Sequence, residues 1–240
     1  MSKRPLVSDT AMVMAAGLGK RMLPLTATRP KPLVQVAGKP LIDHSLDRMV
    51  EAGLARAVVN VHYLADALEA HLAGRDVPLI TVSDERAALL ETGGGMAKAR
   101  PLLPDPFYCI NSDNIWLDGP RNAFRELSDG WKPEAMDALL LVIPHARAGN
   151  YIGKGDFHLD ARGKISRRRT SRIAPFIYTG IQLVSHRLLR DAPEGPFSTM
   201  VLWERAISEG RLYGLVHTGD WFEVGEPGSI APTEARLAGG

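Results

Sequence analysis

Short apolar runs that stop at turn residues recur along this 240-residue chain, with helix-period segments between them. The first, "AMVMAA" (Ala11 to Ala16), stops at Gly17. "AVVNV" (Ala57 to Val61), "VPLITVS" (Val77 to Ser83), "PFYCIN" (Pro106 to Asn111) and "DALLLVI" (Asp137 to Ile143) follow it. Runs this short, bounded by turn signals, read as buried strands. Between them, "KPLIDHSLDRMVEAG" puts Pro40 at a helix start and Gly53 at its end, with Ile42, Leu46, Met49 and Val50 on one face. "LADALEAHLAG" and "GGMAKARPLL" give two more helices, the second beginning in a glycine run. Strands alternating with helices predict an α/β fold with a mostly parallel central sheet. Ligands of such sheets bind beyond the carboxyl ends of the strands.

After Pro144 the texture changes. "GKGDFHLDARGKISRRR" reads as a hairpin turning at "ARGK", and "APFIYTGIQLV" as a long strand. "SHRLLRDAP", "STMVLWERAISEG" and "PGSIAPTEARLA" read as helices, and "RLYGLVH" and "DWFEVG" as short strands around a turn. No linker, repeat or low-complexity tract interrupts the chain, so residues 1–240 are expected to form one domain.

Apolar residues make up 45% of the chain, enough for a sizeable core. The net charge of +2 argues against a general nucleic-acid binder. No run approaches the ~18 apolar residues of a membrane span, and "MSKRPLVSDT" has no signal-peptide stretch. Cys109 is the only cysteine. The expectation is a cytoplasmic chain without internal disulfide, acting as a monomer or small homo-oligomer.

The cations are local. Gly17 and Gly19 follow the first strand, and Lys20, Arg21, Arg29 and Lys31 come next, among Pro24, Pro30 and Pro32. A glycine turn frees backbone N–H groups for anionic oxygens. Arg21 is followed by no second phosphate-loop signature: Gly19-Lys20 precedes arginine rather than Ser or Thr, and Met22 stands where a dinucleotide fingerprint has its third glycine.

The ordered series Gly17-Leu18-Gly19-Lys20-Arg21-Met22, Pro24-Leu25-Thr26, Pro30-Lys31-Pro32-Leu33 and Gly38-Lys39-Pro40-Leu41 resembles the N-terminal motif of sugar-phosphate nucleotidyltransferases. The resemblance continues through "LLETGGGMAKA", "INSDN", "YTGIQ" and "WFEVGEP", so it spans essentially the whole chain. "LETGGG" in a chain of this size resembles the N-acetylmuramate-1-phosphate uridylyltransferase branch, of cell-wall recycling. Mannose-1-phosphate guanylyltransferases are the nearest competitor. The family implies a three-layer, Rossmann-like nucleotidyltransferase fold and a Mg²⁺-dependent reaction of a sugar 1-phosphate with a nucleoside triphosphate, UTP in the favoured branch.

Two anions must meet in that reaction, so the residues it implies are mostly cations and metal ligands. Arg21 is expected to grip the triphosphate bidentately, and Lys31 to hold the α-phosphate or sugar phosphate as a point charge. Asp113, directly after "FYCIN", matches the family's metal-binding Asp, with Ser112 where glycine is usual. Glu223 stands where the family has its second metal carboxylate, usually an Asp. Asp220 is expected to point elsewhere by strand alternation. Ala15, Ala16, Gly17, Leu18, Gly19 and Lys20, with Glu91, Thr92 and Gly93, are expected to hold the nucleotide. Glu85 and Glu91 stay open as acceptors for a guanine amino group. Asn111, Asn150, Asp156, Tyr178, Thr179 and Gly180 are expected to hold the sugar. Where relatives carry a lysine for the sugar phosphate, this chain has Arg167, Arg168, Arg169 and Arg172, which read as a solvated basic edge or as that lysine's replacement. A non-catalytic nucleotide-sugar-binding subunit is the non-enzymatic alternative. A glycosyltransferase would want an Asp-x-Asp motif, absent around Asp113.

Overall fold

A computed structural model describes residues 5–239. In chain order the strands are β1 Thr10–Met14, β2 Gln35–Val36, β3 Lys39–Pro40, β4 Arg56–Val61, β5 Leu79–Asp84, β6 Phe107–Asn111, β7 Asn114–Leu117, β8 Ala138–Pro144, β9 Ala148–Gly149, β10 Phe157–Leu159, β11 Ile165–Arg167, β12 Phe176–Val184, β13 Leu212–Val216 and β14 Asp220–Glu223. The α-helices are α1 Leu41–Ala52, α2 Ala65–Leu72, α3 Glu91–Ala99, α4 Ala123–Gly130, α5 Thr199–Ser208 and α6 Ile230–Ala238.

The main sheet runs β11-β10-β12-β6-β1-β4-β5, with β8 on β12 and β13 on β8. β5, β4, β1 and β6 are mutually parallel, and β12 runs antiparallel to β6. A strand buried on both faces sends alternate side chains to opposite sides. In β1, Ala11 and Val13 join Ile42, Leu46 and Met49 of α1, Leu68 of α2 and Phe124 of α4. Met12 points the other way, to Met96 of α3 and Leu202 and Trp203 of α5. Helices on both faces make the expected three layers. Each fully buried large apolar side chain contributes ~1.5–3 kcal/mol to this arrangement.

A second sheet, β7-β14-β9, lies beside the main one, over a small core that includes Met22, Ile115, Phe222 and Val224. β7 escaped the sequence reading because its four residues follow β6 after only two. The two C-terminal runs expected around one turn part company: β13 joins β8 in the main sheet, and β14 pairs with β7 and β9. "SHRLLRDAP" forms only a 3-10 turn, His186–Leu189. Helix α3 begins at Glu91, so all three glycines lie inside it rather than before it. Among the described residues, no helix is long and apolar enough to cross a membrane.

Candidate active site

β1, β4 and β6 end side by side, and three buried polar groups fix the loops beyond them. The Ala15 N–H donates to Asn60 Oδ1 at 2.7 Å, and Asn60 Nδ2 donates to Glu85 Oε1 at 2.8 Å. Glu85 Oε2 accepts from the Leu90 N–H at 3.2 Å. Glu85 is only 1% exposed, so its carboxylate is spent on this frame and is no acceptor for a base. The frame holds the 85–90 loop against the end of β1. Beyond it opens a cavity of about 400 Å³, lined by Ala15, Ala16, Gly17, Glu91 and Thr92, with Lys31, Asn111 and Asp113 on its far side.

The two glycines of the first loop do different work. A Cβ on Gly17 would meet nothing within 4 Å, so its backbone faces open space. Gly19 adopts φ +63°, and a Cβ there would lie 2.9 Å from Thr26 Cγ2 and 3.0 Å from Lys31 Cβ. Only glycine combines that turn with so close an approach of the Lys31 segment. Leu18, Gly19 and Lys20 shape the turn without lining the cavity. Gly93 is also displaced from its expected role: its N–H donates to the Phe197 carbonyl at 2.8 Å.

A second cavity, about 290 Å³, adjoins the first and shares Asn111 and Asp113 with it. Arg21, Asp156, Tyr178 and Glu223 line it, together with Asn114, Tyr151, Met200, Trp203 and Trp221. Arg21 thus faces this second space rather than the first. Lys31 Nζ donates to Asp113 Oδ2 at 2.7 Å, with both side chains mostly shielded. The β7–β14 register sets Glu223 opposite Asn114, and the Val224 N–H donates to the Asp113 carbonyl at 3.1 Å. That pairing brings the two carboxylates to one wall. Arg21 reaches Glu223 at 3.6 Å and rests on Gly225, whose Cβ position would be 3.0 Å from the guanidinium. Asp220 turns away to Arg147 and Arg236, as strand alternation predicts.

Of the residues expected to hold the sugar, four converge. Asp156 Oδ2 accepts the Tyr178 N–H at 2.9 Å, and burial pushes the Asp156 carboxyl above its ordinary range. Gly180 has φ +82°, at a register shift in β12, and a Cβ there would strike Asn114 Nδ2 at 2.1 Å and approach Asn111 Cβ at 3.1 Å. It is the floor on which Asn111 lies. Thr179 is core instead: its hydroxyl donates to the Leu141 carbonyl at 2.8 Å, and its own carbonyl accepts from the Trp221 indole. Asn150 ties β9 to α6 through Ser229 and Thr233, outside both cavities. The arginine run lines neither cavity: Arg168 Nε donates to the Gly155 carbonyl and Arg167 pairs with Glu204. Tyr151, expected with Asn150 to line a pocket, does line this cavity, whereas sequence reasoning missed Asn114, Met200 and Trp203. Their only sequence signal was an excess of aromatic residues near the "YTG" strand.

The nucleotidyl transferase family model matches residues 10–157 of the chain. The chain belongs to the nucleotidyl transferase family. The N-acetylmuramate alpha-1-phosphate uridylyltransferase of Caulobacter vibrioides is 44% identical over 99% of each chain. The mannose-1-phosphate guanylyltransferase catalytic subunit beta of Danio rerio is 30% identical over 90% of this chain and 61% of its own. In three dimensions this nucleotidyl transferase is similar to the inositol-1-phosphate CTP transferase of T. maritima, with a TM-score of 0.77 over 96% of this chain and 95% of that one, at 15% identity.

Two of the positions at which this nucleotidyl transferase departs from the family motif, Ser112 and Glu223, have a local reason. The Ser112 hydroxyl donates to the Met14 carbonyl at 2.8 Å, adding a second bond to the one the Ser112 N–H makes there at 3.2 Å and so closing β6 onto β1. Glu223 projects one methylene further than Asp and meets Arg21 across the cavity wall. Among the described residues, no group of three or more His, Cys, Asp or Glu is placed to hold a metal. Two carboxylates on one cavity wall, each already beside a cation, still form a hard-oxygen donor pair. That set suits an ion that keeps most of its water and phosphate ligands, as Mg²⁺ does.

Proposed function

We propose that this chain transfers a uridylyl group from UTP to N-acetylmuramate 1-phosphate, releasing pyrophosphate and a UDP-sugar for cell-wall recycling. One observation carries the reading: Asp113, with Lys31 beside it, is on the wall shared by two adjoining cavities. A nucleotide in the first and a sugar phosphate in the second would meet there. The 44% identity with a uridylyltransferase over the full chain supports the choice of substrates.

A sugar-phosphate oxygen is already anionic and attacks the α-phosphorus in line, so no general base is needed. Catalysis rests on positioning and on charge. Lys31, fixed between prolines, holds a point charge at the α-phosphate. Arg21 offers a planar fork to phosphate oxygens from the sugar side. Asp113 and Glu223 would hold a Mg²⁺ ion, which supplies neutralising charge where the phosphates meet. Gly17 lets the nucleotide approach the backbone, and the Ala15–Asn60–Glu85 frame keeps that backbone still. A single buried thiol, Cys109, accords with a reducing cytoplasm.

The test is pyrophosphate release over a matrix of UTP, GTP, CTP and dTTP against N-acetylmuramate 1-phosphate, mannose 1-phosphate and glucose 1-phosphate. UTP with N-acetylmuramate 1-phosphate is expected to give the highest kcat/KM. A site that pairs its polar groups with one base rejects another by leaving them unpaired. Preference for GTP with mannose 1-phosphate overturns the uridylyl reading, and no turnover with any pair leaves only a binding subunit.

A further inference from the structure

The two carboxylates on the shared wall already hold cations of the protein itself. Lys31 Nζ lies 2.7 Å from Asp113 Oδ2, with 12% and 27% of those side chains exposed. Arg21 Nη2 lies 3.6 Å from Glu223 Oε1. In the reaction proposed above, on which this inference rests, both cations serve phosphate oxygens and both carboxylates serve Mg²⁺. Each pair thus joins one phosphate ligand to one metal ligand. A carboxylate that holds an ammonium at hydrogen-bond distance is a poor ligand for a second cation, because the two positive charges repel. The Lys31–Asp113 pair is mostly shielded, so dissolved salt weakens that repulsion little.

Lys31 can give up Asp113 only by moving its side chain. Pro30 and Pro32 flank it, and its backbone forms a 3-10 turn, Lys31–Leu33, closed by the Val34 N–H on the Lys31 carbonyl at 3.0 Å. Its Cβ lies 3.0 Å from the Cβ position of Gly19, so the backbone is fixed from that side too. Lys31 also lines the first cavity. A phosphate bound there competes with Asp113 for the same ammonium. Once Lys31 has turned to the phosphate, Asp113 is a hard-oxygen ligand without its cation. The coupling is reciprocal: whatever draws Lys31 from Asp113 strengthens metal binding, and metal at Asp113 releases Lys31 to the phosphate. We propose that Lys31, seconded by Arg21, is a stand-in cation at this wall, which keeps free divalent ions out until a nucleotide phosphate is bound.

The experiment reads metal binding rather than turnover. Mn²⁺, which shares the oxygen ligands of Mg²⁺ and is paramagnetic, is titrated into the full chain, and the free ion is counted by electron paramagnetic resonance. Nucleotide-free wild type is expected to bind it weakly. UMP, whose single phosphate chelates poorly in solution, is expected to tighten binding by about tenfold, the scale of a coupling between two sites. Lys31→Gln is expected to show that gain without UMP and to lose the response to UMP. Lys31→Arg, which keeps the charge and can keep the pair, is expected to stay as weak as wild type. Arg29→Gln removes an exposed cation that pairs with neither carboxylate, and is expected to change nothing beyond about twofold. Asp113→Asn added to Lys31→Gln is expected to abolish the gain. If Lys31→Gln fails to fold, the UMP response of wild type and a smaller gain in the exposed Arg21→Gln decide the matter. Tight Mn²⁺ binding by nucleotide-free wild type, no gain in Lys31→Gln, or an equal gain in Arg29→Gln overturns the proposal. Mn²⁺ binding that ignores Asp113→Asn in every state overturns the metal reading with it. Pyrophosphate release from a different nucleotide and sugar overturns only the choice of substrates.

Discussion

Arg21 is the most exposed of the charged residues around the shared wall, with 69% of its side chain open, and it is held only by Glu223 and by contact with Gly225. A fork so loosely tied is free to close on phosphate. Arg21→Ala is expected to lower kcat/KM by ~10²-fold, the scale of one lost transition-state donor. Arg21→Lys is expected to recover only part, because one ammonium cannot reproduce a bidentate grip. Pyrophosphate release with each variant decides it, and equal rates for Lys and Arg would reduce the residue to bulk charge. Arg21, Lys31, Asp113 and Glu223 were singled out by the ordered motif they sit in, and the fold brings all four to the two adjoining cavities. Thr179 and Asn150 were not. The turn of β12 at Gly180 sends the Thr179 hydroxyl to Leu141, and α6 claims Asn150. Neither a register shift nor a distant helix leaves a mark in local periodicity.

Helix α3 is the element whose logic the sequence hides best. Three successive glycines weaken a helix by up to ~1 kcal/mol each relative to alanine, so the sequence places the helix start within the run rather than ahead of it. In the fold the glycines are packing surfaces. A Cβ on Gly93 would lie 2.3 Å from the Phe197 ring, on Gly94 2.4 Å from the Gly195 carbonyl, and on Gly95 2.8 Å from Glu85 Oε1. The 195–197 loop, which leads into α5, can lie against α3 only because no side chain intervenes. Gly94→Ala is therefore expected to destabilise the chain by ~1–3 kcal/mol despite its better helix propensity, since the clash is with backbone that cannot rotate aside. Urea unfolding of the variant against wild type checks the sign, and a gain in stability would return the run to a loop-like role. The parallel strands were legible throughout, because continuous apolar runs with turn residues at both ends have few other readings. β7 and the sheet membership of β14 depend on pairing between distant segments, which periodicity does not carry.

At the scale of the whole molecule, one buried and one half-buried histidine weaken the fold in acid. His217 is fully buried and its Nε2 meets the Leu117 carbonyl, while His44 meets the Val36 carbonyl. Burial lowers both from the ordinary value of 6.5, against the pull of those carbonyls. The unfolded chain then binds more protons than the folded one below that value, so stability rises with pH there and is lost as pH falls. Melting temperatures between pH 7.5 and 5 are expected to drop steadily, and His217→Gln to flatten the slope. A flat profile in wild type would mean both rings protonate without cost. The second sheet bears on the order in which the chain is made. By residue 157 the ribosome has supplied the glycine loop, Lys31 and Asp113, but not β12, which covers the edge of β6, nor β14, which carries Glu223. A nascent or truncated chain at that point has the first cavity's glycine loop beside an open sheet edge, and one of the two carboxylates. Nothing short of β14 brings Glu223 to the wall that holds Asp113, so this side of the second cavity is complete only once the chain has been made past residue 223.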